Sequence, residues 1–300
     1  MLIDAADAYL KMRRAFGFKL RNDEYLLRNF ARFAAAQGET HIRGATAVTW
    51  AAQAPSMQQR DRRLKAVMHF ASYLHAADPA HQIPPDHVFD APHTRRLPHI
   101  YTPEELRRIL EEAGQLGPTG SLRPHTYQTL FGILAACGLR ISEALALEVD
   151  DITSDGLFIR ETKFRKSRLV PMHPTTERAV DDYLRRRRKV AGSTNHLFVT
   201  LKGGPLRYPT VITVFLSLIR RLGLRGEPGE SGPRLHDMRH TLSVRALEAC
   251  SRDEVARHLL ALSTYLGHVH VADTYWYLHA TPQLLSGIAD ACREWMGVTP

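Results

Sequence analysis

The chain is poor in cysteine. It has three in 300 residues, and Cys137, Cys250 and Cys292 stand far apart among apolar neighbours. An odd, unclustered set excludes a disulfide framework and offers no zinc-ligand spacing, which leaves buried thiols in a reducing compartment. Long apolar runs are missing as well. The longest, around Leu130–Leu139, is broken by Gly132 and Gly138 and is too short to cross a bilayer. Asp4 and Asp7 precede any basic residue, so the N-terminus lacks the charged-then-apolar order of a secretory signal. The expected location is the cytoplasm, with no membrane partner. There is no internal repeat.

What the chain has is a globular balance, 44% hydrophobic and 24% charged residues, in a length that suits two domains. It also has an excess of base, with a formal charge of +9 and an isoelectric point near 9.7. Residues 1–98 hold 14 Lys and Arg against 9 Asp and Glu, and the remainder holds 26 against 22, so both parts are basic. Such charge gives sequence-independent affinity for a polyanion and fast encounter with it.

The stretch 78–98 carries Pro79, Pro84, Pro85, Pro92 and Pro98 without helical or alternating pattern, and reads as a linker. Before it, Leu2–Phe16, Asp23–Gln37 and Ser56–His75 place apolar residues at helical spacing, which makes 1–77 a small helical domain. Arg60, Arg62, Arg63 and Lys65 open the third of these helices. They form either a solvated face or a contact to nucleic acid. The second domain, 99–300, starts with Thr102-Pro103-Glu104-Glu105: a capping hydroxyl, proline at the first helical position and acids in the first turn. A buried helical region over 126–147 is interrupted at Gly138. Gly156–Glu161 and Arg168–Met172 then form a hairpin around the basic connection TKFRKS. Helices are expected at roughly 174–190, 209–222, 237–249, 252–261, 270–278 and 282–296. The expected fold is therefore mainly α (α+β), with a small antiparallel sheet.

Four segments carry chemistry. In CGLRISEALAL (137–147), Gly138 permits a tight turn before Arg140, and Glu143 lies one helical turn on, where a carboxylate orients a guanidinium. In LHDMRHT (235–241), His236 and Arg239 share a helical face, with His240 competing for the histidine role. In YLGHVHVADTYWYL (265–278), Gly267 ends a helix ahead of His268, and Tyr277 follows nine residues later beside Tyr275 and Trp276. Tyr275 and Tyr277 cannot both face one side of a helix. In TKFRKSRLVP (162–171), Lys163, Arg165 and Lys166 crowd a turn, as a solvated loop or as a reach toward phosphate. Each segment taken alone has an ordinary structural explanation: a surface ion pair, a chance HxxR, a core aromatic.

In this order and spacing the four segments resemble the catalytic signature of the tyrosine recombinase (lambda integrase-like) family, which includes Xer-type resolvases and many integrases. The motifs match from about residue 99 to 290. The TKFRKS turn departs from the family by lacking a glycine common in Xer-like members, and YWYLHATPQLL looks more like recombinases of mobile elements. The resemblance implies catalytic roles for Arg140, Lys163, His236, Arg239, His268 and Tyr277, with Glu143 as a supporting acid. Two arginines would neutralise charge on the phosphate oxygens, and His268 would add a hydrogen bond. Tyr277 would attack, with His236 as base and Lys163 as acid to the leaving 5′-oxygen. That chemistry needs no metal, ATP or other cofactor. The implied partner is double-stranded DNA, held by a homo-tetramer. Arg60, Arg62, Arg63, Lys65, Arg165 and Lys166 are the candidate DNA-contacting residues. The apolar face of Pro282–Trp295 would pack within the chain or on a neighbouring protomer. Two other readings stay open: a type IB-like topoisomerase, and a non-catalytic DNA-binding protein retaining the fold.

Overall fold

A computed structural model describes residues 1–279 apart from Lys19, residues 91–95, residues 161–166, Ala191, residues 252–253 and Val269. For Arg21, Trp276, Leu278 and His279 it describes the backbone alone. The chain divides into two units, Met1–Arg95 and Arg96–Pro300, a division that falls within the proline-bearing stretch.

The first unit holds α1 (Leu2–Ala15), α2 (Arg21–Ala36), α3 (Gly44–Ala52) and α4 (Met57–His75). Ser56 caps α4 by accepting the Gln59 N–H at 3.3 Å. Phe30 and Trp50 meet edge to face at 5.4 Å in the core, and the Trp50 indole donates to Asn29 Oδ1. Helix α3 is an addition to the three helices read from the sequence. Its nine residues bury small side chains, Ala47 and Ala51, beside Trp50, so the apolar stripe is too faint to register as periodicity. The described residues between α4 and the end of this unit, 76–90, form no regular element, yet several are fixed to it. Gln82 N donates to Ile42 O at 2.8 Å, Ile42 N donates to His81 Nδ1 at 3.1 Å, and Phe89 is buried.

The second unit is mainly helical around one small sheet. Its helices are α5 (Pro103–Gly114), α6 (Arg123–Cys137), α7 (Ile141–Ala146), α8 (Pro174–Arg187), α9 (Tyr208–Arg221), α10 (Asp237–Glu248), α11 (Val255–Leu266) and α12 (Ala272–His279). Strands β1 (Ile152–Thr153), β2 (Gly156–Ile159) and β3 (Arg168–Val170) pair antiparallel in that order, with Leu157 opposite Val170 and Ile159 opposite Arg168. The hairpin was legible in the sequence; the two-residue β1 was too short to be.

Thr102 and Glu105 close a full capping box on α5, with Thr102 Oγ1 accepting Glu105 N–H and Glu105 Oε2 accepting Thr102 N–H. Helix α6 is buried nearly all round and packs between α5, α8 and α10, with Phe131 edge to face on Phe215. The run Arg185–Lys189 spans the end of α8. Arg187 is buried and donates to the carbonyls of Thr194, His196 and Leu197, pinning the loop after α8. Cys137 is buried, and its thiol is pushed up to about 12 by that burial. Among the described residues no helix is long and apolar enough to cross a membrane. The helix expected at 282–296, and Cys292 within it, lie outside the described residues.

Candidate active site

Two glycines in the left-handed conformation, Gly138 (φ 60°) and Gly267 (φ 66°), end α6 and α11 and set up the site. A Cβ on Gly138 would lie 2.5 Å from Leu242 Cδ2, so this turn has no room for a side chain. Past Gly138 the chain turns into α7 with Arg140 at its N-cap. Glu143 Oε2 accepts the Arg140 N–H at 3.0 Å, while Arg140 Nη1 donates back to Glu143 Oε1 at 2.8 Å. The Arg140 side chain is 30% exposed and that of Glu143 is 7% exposed, so the carboxylate supports from below.

Arg239 enters from α10 and is 2% exposed. A buried guanidinium needs acceptors, and two backbone carbonyls supply them: Gly138 O at 2.7 Å from Nη1 and Leu266 O at 2.6 Å from Nη2. The start of α10 is held by buried Asp237, which accepts the Arg234 N–H at 2.8 Å, and by Tyr101, whose N–H donates to Thr241 Oγ1. This places His236 at the N-cap of α10, with its ring 4.7 Å from that of His240.

After Gly267, His268 leaves α11 with Nδ1 2.8 Å from Thr274 Oγ1, a fully buried hydroxyl on α12. Tyr277 follows one helical turn later. It is 2% exposed, stacked on His268 at 6.1 Å between centroids and tilted against His240 at 5.5 Å. Tyr275 on the same helix is 50% exposed, so of the two tyrosines only Tyr277 faces inward.

The structure thus gathers Arg140, Glu143, His236, Arg239, His268 and Tyr277, which lie up to 137 positions apart in the chain, around the ends of α6 and α11 and the starts of α7 and α10. Residues 99–283 match the model of the phage integrase family. The putative integrase/recombinase y4rB of Sinorhizobium fredii is 42% identical over 294 residues, covering 94% of this chain and 93% of that protein. The chain belongs to the phage integrase family. The tyrosine recombinase XerD of Corynebacterium glutamicum is 33% identical over 177 residues, 58% of this chain and 52% of that protein. Among solved structures, the Tn1549 transposon integrase in complex with transposon right end DNA matches with a TM-score of 0.65. It shows 19% identity, over 98% of this chain and 99% of that one. The XerH recombinase bound to its difH substrate matches at 0.64 and 20% identity, over 92% and 79%. At such identity these two establish the fold.

In this member of the phage integrase family the electrostatics follow from crowding cations around one acid. Burial pushes the Glu143 carboxyl up, but Arg168 and Arg140 outweigh it and hold the group at about 2. Burial, and then the Arg140 charge, lower Arg239 to about 10. Burial followed by the charges of Arg239 and Arg140 holds His268 at about 4, so its ring is neutral at pH 7 and has both a donor and an acceptor nitrogen. His236 is exposed, yet desolvation by close neighbours and then the Arg239 charge lower its pKa as well.

One residue of this cluster was not singled out from the sequence. Arg168, the first residue of β3, is 10% exposed and grips Glu143 with Nη1 at 3.2 Å and Nη2 at 2.8 Å, while its Nε donates to Tyr265 O at 2.7 Å. In the sequence it is one more base in a basic hairpin. Lys163, Arg165 and Lys166 lie outside the described residues. In the first unit, Arg60 Nε donates to Ala54 O, Arg63 lies over the Trp50 ring, Lys65 pairs with Asp61, and Arg62 is exposed. That unit also brings together His41, Asp78 and His81, three side chains of metal-ligating type. Because His81 Nδ1 accepts the Ile42 N–H, its proton sits on Nε2 in the neutral ring. The trio therefore reads as a hydrogen-bonded clasp between two loops.

Proposed function

We propose that this chain is a site-specific DNA recombinase that breaks and rejoins DNA strands through a 3′-phosphotyrosine at Tyr277. The observation that carries the reading is the seating of Tyr277 against His268, which follows the helix end whose carbonyls hold two guanidinium groups, Arg140 and Arg239. A phosphodiester cleaved in this pocket develops charge on its non-bridging oxygens, and fixed planar donors stabilise that charge without reorganising. The Tyr277 oxygen attacks phosphorus, the bond to the 5′-oxygen breaks, and His236 accepts the phenolic proton. The 5′-oxygen takes up a proton from Lys163. A second 5′-hydroxyl then attacks the phosphotyrosine and releases Tyr277, so the bond energy is conserved and no nucleotide is consumed. Tyr277 is nearly enclosed, so DNA binding has to uncover it. Double-stranded DNA as partner follows from the basic charge of both units and the family. A tetramer on two duplexes follows from the exchange of strands between two sites.

The test uses a pool of duplexes with a randomised core, nicked so that the cleaved fragment diffuses away. The unaltered protein is expected to form adducts that survive denaturation, with the phosphopeptide at Tyr277, and Tyr277→Phe to form none while still retarding DNA. Tyr275→Phe is expected to behave as the unaltered protein. Adducts on Tyr277→Phe would overturn the assignment. Two copies of the recovered site on a supercoiled plasmid separate recombination from relaxation alone.

A further inference from the structure

Three consecutive carbonyls close α11, and each receives a different arginine. Tyr265 O accepts from Arg168, Leu266 O from Arg239 and Gly267 O from Arg140. The negative end of a helix is where cations are stabilised, and here it gathers three. The three are not equivalent. Arg239 has two carbonyl partners, and the Arg140 side chain is 30% exposed. Arg168 commits Nε, Nη1 and Nη2 to Glu143 and Tyr265, and is 10% exposed. It is built in as a strut and has little left to offer a phosphate.

We propose that Arg168 is a positioning residue of this site: through Glu143 it fixes the Arg140 guanidinium, and through Tyr265 it fixes the end of α11 that carries Gly267 and His268. The proposal rests on the recombinase reading above. Glu143 accepts four donors, two from Arg140 and two from Arg168, which fills its lone-pair sites. Without Arg168 the carboxylate is free to rotate and is exposed to protonation, and Arg140 loses the fixed partner that aims it. Contact at Gly267 is close, since a Cβ there would lie 2.9 Å from Arg168 Nη1. Strand β3, helix α7 and the end of α11 therefore meet on this one side chain.

The experiment compares Arg168→Gln, Arg168→Lys, Glu143→Gln and the double variant Arg168→Gln/Glu143→Gln with the unaltered protein and Tyr277→Phe. Each is assayed on the nicked duplex recovered from the randomised pool, for cleavage rate at saturating protein across pH, DNA affinity and melting temperature. Arg168→Gln is expected to cleave about a hundredfold more slowly, the cost of a misplaced catalytic group, with DNA affinity within about twofold. Its rate is expected to show an added fall on the acid side as Glu143 protonates, and the double variant to lack that fall and to be no slower than Arg168→Gln. Arg168→Lys keeps the charge without the planar fork and is expected to fall between. If Arg168→Gln does not fold, Arg168→Lys takes its place: a lower rate with affinity kept supports the proposal, and an unaltered rate overturns it. An unaltered rate in Arg168→Gln overturns it too, as does a slowing with the parental pH profile that adds fully to Glu143→Gln. Adducts on Tyr277→Phe would bring down the recombinase reading whatever Arg168 does. Loss of adducts there with an unaltered Arg168→Gln would bring down this proposal alone.

Discussion

Replacing Glu143 by glutamine tests whether the arginine cluster is held together by charge. The carboxyl, ordinarily at 4.5, is held at about 2 in the folded chain, and its side chain is 7% exposed, so solvent screening takes little from the effect. A carboxyl lowered that far stabilises the folded state by about 3 kcal/mol at pH 7. Because the folded value is depressed, this contribution is complete above the unfolded value and is lost as pH falls through the folded one, that is, from 4.5 down to about 2. Glutamine has nearly the same shape. However, it turns one acceptor into a donor facing an arginine N–H and leaves the Arg140 and Arg168 charges without their counterion. Urea unfolding, which adds no ions, followed by circular dichroism should place Glu143→Gln about 3 kcal/mol below the parent at pH 7. The gap should hold down to about pH 5 and then narrow toward pH 3 as the parent loses its advantage. A gap under about 1 kcal/mol at pH 7, or one indifferent to acid, would refute the claim that Glu143 is the electrostatic keystone.

Two more substitutions probe the turn after α11. Gly267→Ala puts a side chain at φ 66° and against Arg168 Nη1; it is expected to cost about 1–2 kcal/mol, seen as a lower melting temperature, and to slow cleavage. Thr274→Val keeps the buried shape but removes the hydroxyl at His268 Nδ1, so single-turnover cleavage should slow about tenfold while DNA affinity measured by gel retardation is kept.

Much of the geometry of this candidate site was legible because it rests on short local patterns. Gly138 before Arg140, Gly267 before His268, and the one-turn spacings of Arg140 to Glu143 and His236 to Arg239 all recur in the structure as helix ends and shared faces. What stayed hidden depends on partners distant in sequence. Arg168 bonds to residues 25 and 97 positions away, and nothing in RKSRLVP separates it from Arg165 or Lys166. Arg187 is hidden in the same way, one of four consecutive arginines whose burial depends on where the 194–197 loop returns. Thr274 reads as an ordinary helix residue until His268 is folded onto it. Helix α3 escaped because alanines carry its packing and leave no strong stripe.

A phosphate site must keep several like charges close together before any phosphate arrives, and repulsion among them would otherwise scatter the side chains. In this chain one carboxylate and the carbonyl end of one helix hold the candidate site's arginines together. Glu143 bonds to both Arg140 and Arg168, and the carbonyls of Tyr265, Leu266 and Gly267 each take one guanidinium. Carbonyls suit the purpose better than further acids. They satisfy the donors and orient them, yet leave the pocket with three guanidinium charges against a single carboxylate, a surplus that a phosphodiester can neutralise. A second acid in place of a carbonyl would steady the free protein and weaken the attraction for DNA. The left-handed glycine at 267 follows from the same requirement, because the chain has to turn sharply after α11 for its last carbonyls to face the arginines while His268 swings toward Tyr277.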